Sequence, residues 1–126
     1  MAFRVLIVDD SPVLRFMLQE MLEALGHKVI AQADSVASAI KAYKEHKPDL
    51  LTLDITLPDG DGLSALMEIK RIDRFSKVII VTGNDQKKLE EQALHMKAIG
   101  VLRKPFDLDD LANILDRVPG SPRPPS

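Results

Sequence analysis

"FRVLIVDDSPVLRFMLQEMLEALG", residues 3–26, passes from a short apolar run through two adjacent carboxylates into a helical pattern, and this order decides the fold. Residues 3–8 are brief, rich in β-branched side chains and not strictly alternating, which suits a parallel strand covered on both faces. Ser11 and Pro12 fit the cap and first position of a helix. Leu14, Leu18, Met21, Leu22 and Leu25 then recur every three to four residues until Gly26 ends the run.

Further runs of the strand type occupy residues 28–33, 49–53, 77–81 and 100–103, and helical stretches separate them. Ser35 opens the second helix, with Val36, Ala39, Ile40 and Tyr43 as its apolar stripe and Pro48 as its stop. The third begins near Gly62 and carries Leu63, Leu66, Met67 and Ile69; the fourth begins near Asn84. Asp107 caps the fifth, with Asp110 three positions later in a carboxylate variant of the capping box. Five successive βα units predict an α/β protein built as a doubly wound (βα)5 open parallel sheet.

Composition narrows the function. The chain has 126 residues, 45% hydrophobic and 29% charged, with a net charge of -2, which suits one globular domain and suggests neither disorder nor a nucleic-acid surface. It has no cysteine, which excludes disulfides, thiolate metal sites and a thiol nucleophile. Asp9 and Asp10 break the first apolar run before it could act as a signal sequence, and no stretch nears the roughly 18 apolar residues of a membrane span. A cytoplasmic protein is expected, with one domain over residues 1–118. Residues 119–126, "PGSPRPPS", read as a disordered tail or linker remnant.

In open α/β sheets the ligand site lies beyond the carboxyl ends of the strands. The first strand ends in Asp9 and Asp10, the third in Asp54 and the fourth in Thr82; Lys104 and Pro105 follow the fifth. Asp34 and Ser35 after the second read as capping residues. Each residue alone has a structural use as cap, turn former or solvated charge. Together, at successive strand ends, they describe a site.

Three ionised aspartates repel one another and call for a cation. Oxygen donors without His or Cys select a hard ion, and two or three carboxylates with room for water suit Mg²⁺, with Mn²⁺ as its substitute. Thr82 and Lys104 add a hydroxyl and an ammonium. That set fits a carboxylate, Asp54, that attacks phosphorus to form an acyl phosphate while the neighbouring charges stabilise the equatorial oxygens.

The segments "VLIVDDSPVLR", "LLTLDITLPDGDGL", "VIIVTG" and "GVLRKPF", in that order, resemble the receiver domain of two-component response regulators over residues 3–118, in the manner of single-domain chemotaxis regulators. The resemblance implies a flavodoxin-like sheet of strand order 2-1-3-4-5. It implies that Asp54 takes a phosphoryl group from a phosphohistidine on a sensor histidine kinase or histidine phosphotransfer protein. Asp10 would bind Mg²⁺ directly, Asp9 mostly through water, and Thr56 through its backbone carbonyl. Lys104 would pair with the phosphoryl group, Thr82 would turn inward to it, and the Lys104–Pro105 peptide would be cis. Such a protein is a phosphoacceptor rather than a conventional enzyme. Its downstream protein target would meet the fourth helix, fifth strand and fifth helix, with no direct contact to nucleic acid or membrane, as a monomer or a phosphorylation-dependent dimer.

The chain departs from the family at Val101, where Tyr or Phe commonly reports the switch, and at Gly60, expected to loosen the loop after Asp54. Asn84, two residues beyond Thr82, falls where dephosphorylation is tuned. A rival within the family is a receiver cut from a longer regulator with an output domain after the tail. An aspartate-nucleophile, Mg²⁺-dependent phosphatase of the haloacid dehalogenase type is the enzyme alternative, but that family places a second Asp where this chain has Thr56. "DGDGLSALME" imitates a calcium loop, with Asp59, Asp61 and Glu68 in register, yet Leu57 stands at its first position. A flavin carrier would need a phosphate cradle where Asp9 and Asp10 stand. His27, His46 and His95 suggest solvated or capping roles; Met17, Met21, Met67 and Met96 suggest core filling. Lys87, Lys88, Glu90 and Glu91 suggest a solvated face of the fourth helix, and Leu94 an exposed contact for a partner.

Overall fold

The structure is a computed structural model that describes residues 2–83 and 86–119. Its main sheet joins β1 (Arg4–Val8), β2 (Lys28–Ala33), β3 (Leu50–Asp54), β6 (Val78–Thr82) and β7 (Gly100–Arg103) in the order β2-β1-β3-β6-β7. All neighbouring strands of this sheet are parallel. The remaining two, β4 (Thr56–Leu57) and β5 (Gly60–Asp61), form a small antiparallel hairpin that the apolar pattern did not announce. With that hairpin set aside, the order is the 2-1-3-4-5 that the resemblance implied.

Side-chain alternation along the strands divides the core in two. Leu6, Val8, Leu51, Leu53, Val78 and Ile80 face α2 (Val36–His46), α3 (Gly62–Ile72) and α4 (Lys87–His95), packing with Ala39, Leu66 and Ala93. Val5, Ile7, Leu50, Ile79, Val81 and Leu102 face α1 (Pro12–Ala24) and α5 (Leu108–Leu115), packing with Leu18, Leu22 and Leu111. Helices on both faces explain why the strands read as continuous apolar runs.

The starts of α1, α2, α3 and α5 are chemically marked, whereas Gln86 before α4 makes no side-chain cap. Ser11 Oγ accepts from the Leu14 amide at 3.2 Å. Ser35 forms a reciprocal cap with Ser38, and Asp107 one with Asp110. Asp61 caps α3, and Asp59 reaches from the hairpin to accept from the Val36 and Ala37 amides at 2.7 and 3.1 Å. The carboxylates of the calcium-like sequence thus take separate duties, since Glu68 pairs with Arg71 at 3.0 Å. Gly60, expected in a loosened loop, instead pairs with Leu57 in the hairpin at φ +155°, a conformation glycine adopts without strain.

Several expectations are corrected by burial. Met17 and Met67 are 42% and 57% exposed, because their positions on α1 and α3 turn away from the sheet; Met21 and Met96 do pack against the core. Glu90 is 5% exposed, not solvated: it shares the inward stripe of α4 with Ala93 and pairs with a cation of the sheet. Leu94 is exposed, as expected. His27 accepts from the Phe3 amide at 3.0 Å and stacks on the Phe3 ring, tying the start of β1 to the turn that enters β2. The helix start expected near Asn84 lies outside the described residues, and so does the tail from residue 120 onward. Val118, just before it, is buried against the α1/α5 side of the core.

Candidate functional site

The chain runs from β1 to β2 on one side and returns to β3 on the other, so the winding reverses between β1 and β3. A crevice opens at such a reversal, beyond the carboxyl ends of the strands. Asp9 and Asp10 follow β1, and Asp54 ends β3. One carboxylate oxygen from each of the three lies within 4.8 Å of the others. Asp9 and Asp54 are buried, whereas Asp10 is exposed at the mouth.

Backbone geometry fixes the two buried carboxylates. Asp9 Oδ1 accepts from the Ser11 amide at 2.8 Å, a turn that sets both the aspartate and the start of α1. Asp54 Oδ1 accepts from the Thr56 amide at 3.0 Å. Lys104 Nζ lies 3.2 Å from Asp9 Oδ2 and 3.2 Å from Asp54 Oδ2, spanning the crevice. The Lys104–Pro105 peptide is cis, as the resemblance implied. The Lys104 amide donates to the Thr82 carbonyl at 2.8 Å, which carries the β6/β7 ladder up to the site.

Burial raises Asp54 to a pKa of about 6; the Asp9 charge adds to the rise, while the Thr56 amide and Lys104 oppose it. For Lys104, burial favours the neutral amine, but attraction by Asp54 and Asp9 outweighs it and the pKa is raised. Three carboxyl groups therefore share one ammonium, an acidic excess that a divalent cation would balance. Asp9 Oδ2 is buried and has an ionic neighbour in Lys104 but no hydrogen bond, so an acceptor is left open toward the crevice. Oxygen donors, residual charge and an open acceptor together fit Mg²⁺.

Thr82 is buried at the end of β6, and its hydroxyl donates to the Gly83 carbonyl at 3.2 Å rather than to Asp54. Thr56 lies in the hairpin with its amide turned to Asp54. All six residues expected at the site thus gather at this edge, with Thr82 hydrogen-bonded elsewhere.

The profile of the response regulator receiver domain matches residues 5–116. The chain belongs to this family. Among its relatives, the chemotaxis protein CheY of Bacillus subtilis (strain 168) is 39% identical, covering 93% of this chain and 98% of its own. CheY of Thermotoga maritima is 36% identical over 94% and 98%. Of solved structures, the CheX-CheY-BeF3-Mg+2 complex of Borrelia burgdorferi superposes with a TM-score of 0.85 at 31% identity, covering 90% of this chain and 86% of that one. The receiver is thus similar to single-domain regulators over nearly its full length.

Two cations of this receiver escaped the sequence reading. Arg15 donates to the Asp9 carbonyl at 2.6 Å and to Gln32 Oε1 at 3.1 Å, clamping the β1–α1 turn to β2. Its place one turn beyond Ser11 was a signal, since a long cation there reaches back to the turn. Arg103 binds Glu90 at 2.6 Å. That contact joins a strand to a helix across sequence, and no local pattern marks it.

Proposed function

We propose that residues 1–118 form a phosphorylation-controlled switch in which Asp54 accepts a phosphoryl group from a phosphohistidine of a sensor histidine kinase or histidine phosphotransfer protein. The observation that carries this reading is the Lys104 ammonium set between Asp54 and Asp9, with a third carboxylate beside them at the topological switch point.

Asp54 is the nucleophile. One carboxylate oxygen forms the bond to phosphorus as the phosphorus–nitrogen bond of the donor breaks and the imidazole leaves; a carboxylate needs no general base for this. Bound Mg²⁺, held by Asp9, Asp10, Asp54 and the Thr56 carbonyl, would neutralise charge on the transferred group. Lys104 is already within ion-pair distance of Asp54 and takes one phosphoryl oxygen as it forms. Thr82 exchanges its bond to the Gly83 carbonyl for another phosphoryl oxygen. Water attack on phosphorus later restores the carboxylate, so the domain promotes both its loading and its clearance without acting on a separate substrate.

The acyl phosphate alters the face made by α4, β7 and α5, where the exposed Leu94 offers an apolar contact to a downstream protein. The protein acts in the cytoplasm, without direct contact to nucleic acid, as a monomer or a phosphorylation-dependent dimer. Among the described residues no helix is long and apolar enough to cross a membrane.

Incubation with acetyl phosphate and Mg²⁺, followed by intact mass, tests the reading. One phosphoryl adduct is expected on the parent chain and none on Asp54→Ala or after chelation. An adduct that persists in Asp54→Ala overturns the assignment.

A further inference from the structure

Val101 lies in the strand that borders the site, and its side chain packs into the core cluster beneath α4. Leu102 turns to the opposite cluster, so Arg103 returns to the α4 face two residues nearer the site. Valine has neither a ring to swing nor a polar end to report. Arg103 has a charge, and it is the register partner of Thr82 and the chain neighbour of Lys104. Both residues proposed to touch the phosphoryl group therefore adjoin it.

The other end of the contact is in α4. Glu90 stands in the first turn of the helix, is 5% exposed, and accepts from Arg103 at 2.6 Å. A buried carboxylate deprived of its partner is strongly disfavoured, so this pair resists separation more than a surface pair does. It fastens the start of α4 to the end of β7. Thr82 leads into the same helix, since Gly83 stands three residues before the cap Gln86. Release of the Gly83 carbonyl by Thr82 would rearrange the end of β6 beside β7, the strand to which the ion pair holds α4.

We propose that the Glu90–Arg103 pair is the positioning contact that sets the energy gap between the resting and phosphorylated arrangements, in the role that an aromatic side chain at position 101 does not fill here. The proposal rests on Asp54 being the phosphoacceptor. While the pair holds, it favours the arrangement with Thr82 turned to Gly83. Weakening it makes the inward position of Thr82 easier to reach.

The test measures fluoroberyllate affinity in the presence of Mg²⁺ for the parent, Glu90→Gln, Arg103→Gln and the double variant, together with hydrogen exchange of the α4 amides. Each single variant is expected to bind about fivefold to tenfold more tightly. The double variant should match the singles rather than multiply them, and the α4 amides should exchange faster while those of β3 do not. Arg103→Lys, which keeps the charge, should fall between the parent and Arg103→Gln. Unchanged affinity in the variants, or strictly additive effects, overturns the proposal. Should Glu90→Gln fail to fold, the exposed partner Arg103 carries the same comparison. A parent chain that binds no fluoroberyllate while α4 still loosens in the variants overturns the phosphoacceptor reading itself and leaves the pair a structural clamp.

Discussion

Gly62 packs directly beneath the backbone of Asp54: a Cβ at this first residue of α3 would stand 2.5 Å from the Asp54 carbonyl oxygen. The Gly62 amide also donates to the Ile55 carbonyl at 2.6 Å. The helix start and the proposed nucleophile therefore share one backbone contact that admits no side chain.

Gly62→Ala should consequently lower stability by about 2–4 kcal/mol, since the clash is with backbone and neither partner is free to yield. Denaturant unfolding measures the loss. The fraction that still folds should take up a phosphoryl group more slowly, because any relaxation shifts Asp54 relative to Lys104.

Without a divalent cation, Asp54 should titrate near its raised value of about 6. The folded protein then binds more protons than the unfolded chain between that value and the ordinary carboxylate value of 3.8, so this group makes the fold more stable as pH falls from 7.5 toward 5. Asp54→Asn should raise the neutral-pH stability of the metal-free protein by about 1–3 kcal/mol and flatten this part of the pH profile. Unfolding of both proteins across that range, in chelator, gives the comparison.

Substitution of Lys104 should move metal binding and phosphoryl binding in opposite directions. Lys104→Met removes a cation 3.2 Å from two of the carboxylates, so Mg²⁺ should bind several-fold more tightly. Fluoroberyllate should bind at least about tenfold more weakly, having lost a charged hydrogen-bond donor. Calorimetric titration with each ligand would show the opposite signs; weaker binding of both would contradict the assigned role.

Asp59 has a lowered pKa, caused first by the Val36 amide and then by the Ala37 amide. Its contribution is present at neutral pH and is lost as pH falls through the folded value. Asp59→Ala should lower the Tm and speed exchange at the Val36 and Ala37 amides, with no change at β1.

The sheet and its helices were legible because burial on both faces leaves a continuous apolar signature and because Ser11, Ser35 and Asp107 mark helix starts chemically. The gathering of Asp9, Asp10, Asp54, Thr82 and Lys104 at one edge was legible because all follow or end strands, and a parallel sheet brings its strand ends together. The Thr56–Asp61 hairpin escaped because two-residue strands have no periodicity. Met17 and Met67 misled because an apolar side chain at helical spacing is compatible with either side of a helix edge. Glu90 misled for the converse reason: a charged residue beside Lys87, Lys88 and Glu91 looks solvated until the strand supplies Arg103. Thr82 does end its strand as read, but its bond to Gly83 depends on a rotamer that sequence does not encode.

The positions of β3 and β7 in the sheet give the proposed switch a division of labour. Asp54 is carried by β3, bonded to β1 on one side and β6 on the other, whereas Lys104 follows β7, which among the described residues pairs with β6 alone. Displacing an interior strand would break two ladders; shifting the border strand strains one. If Asp54 takes the phosphoryl group as proposed, the added charge would arrive on an anvil, and the recoil would be taken up by the margin of the sheet.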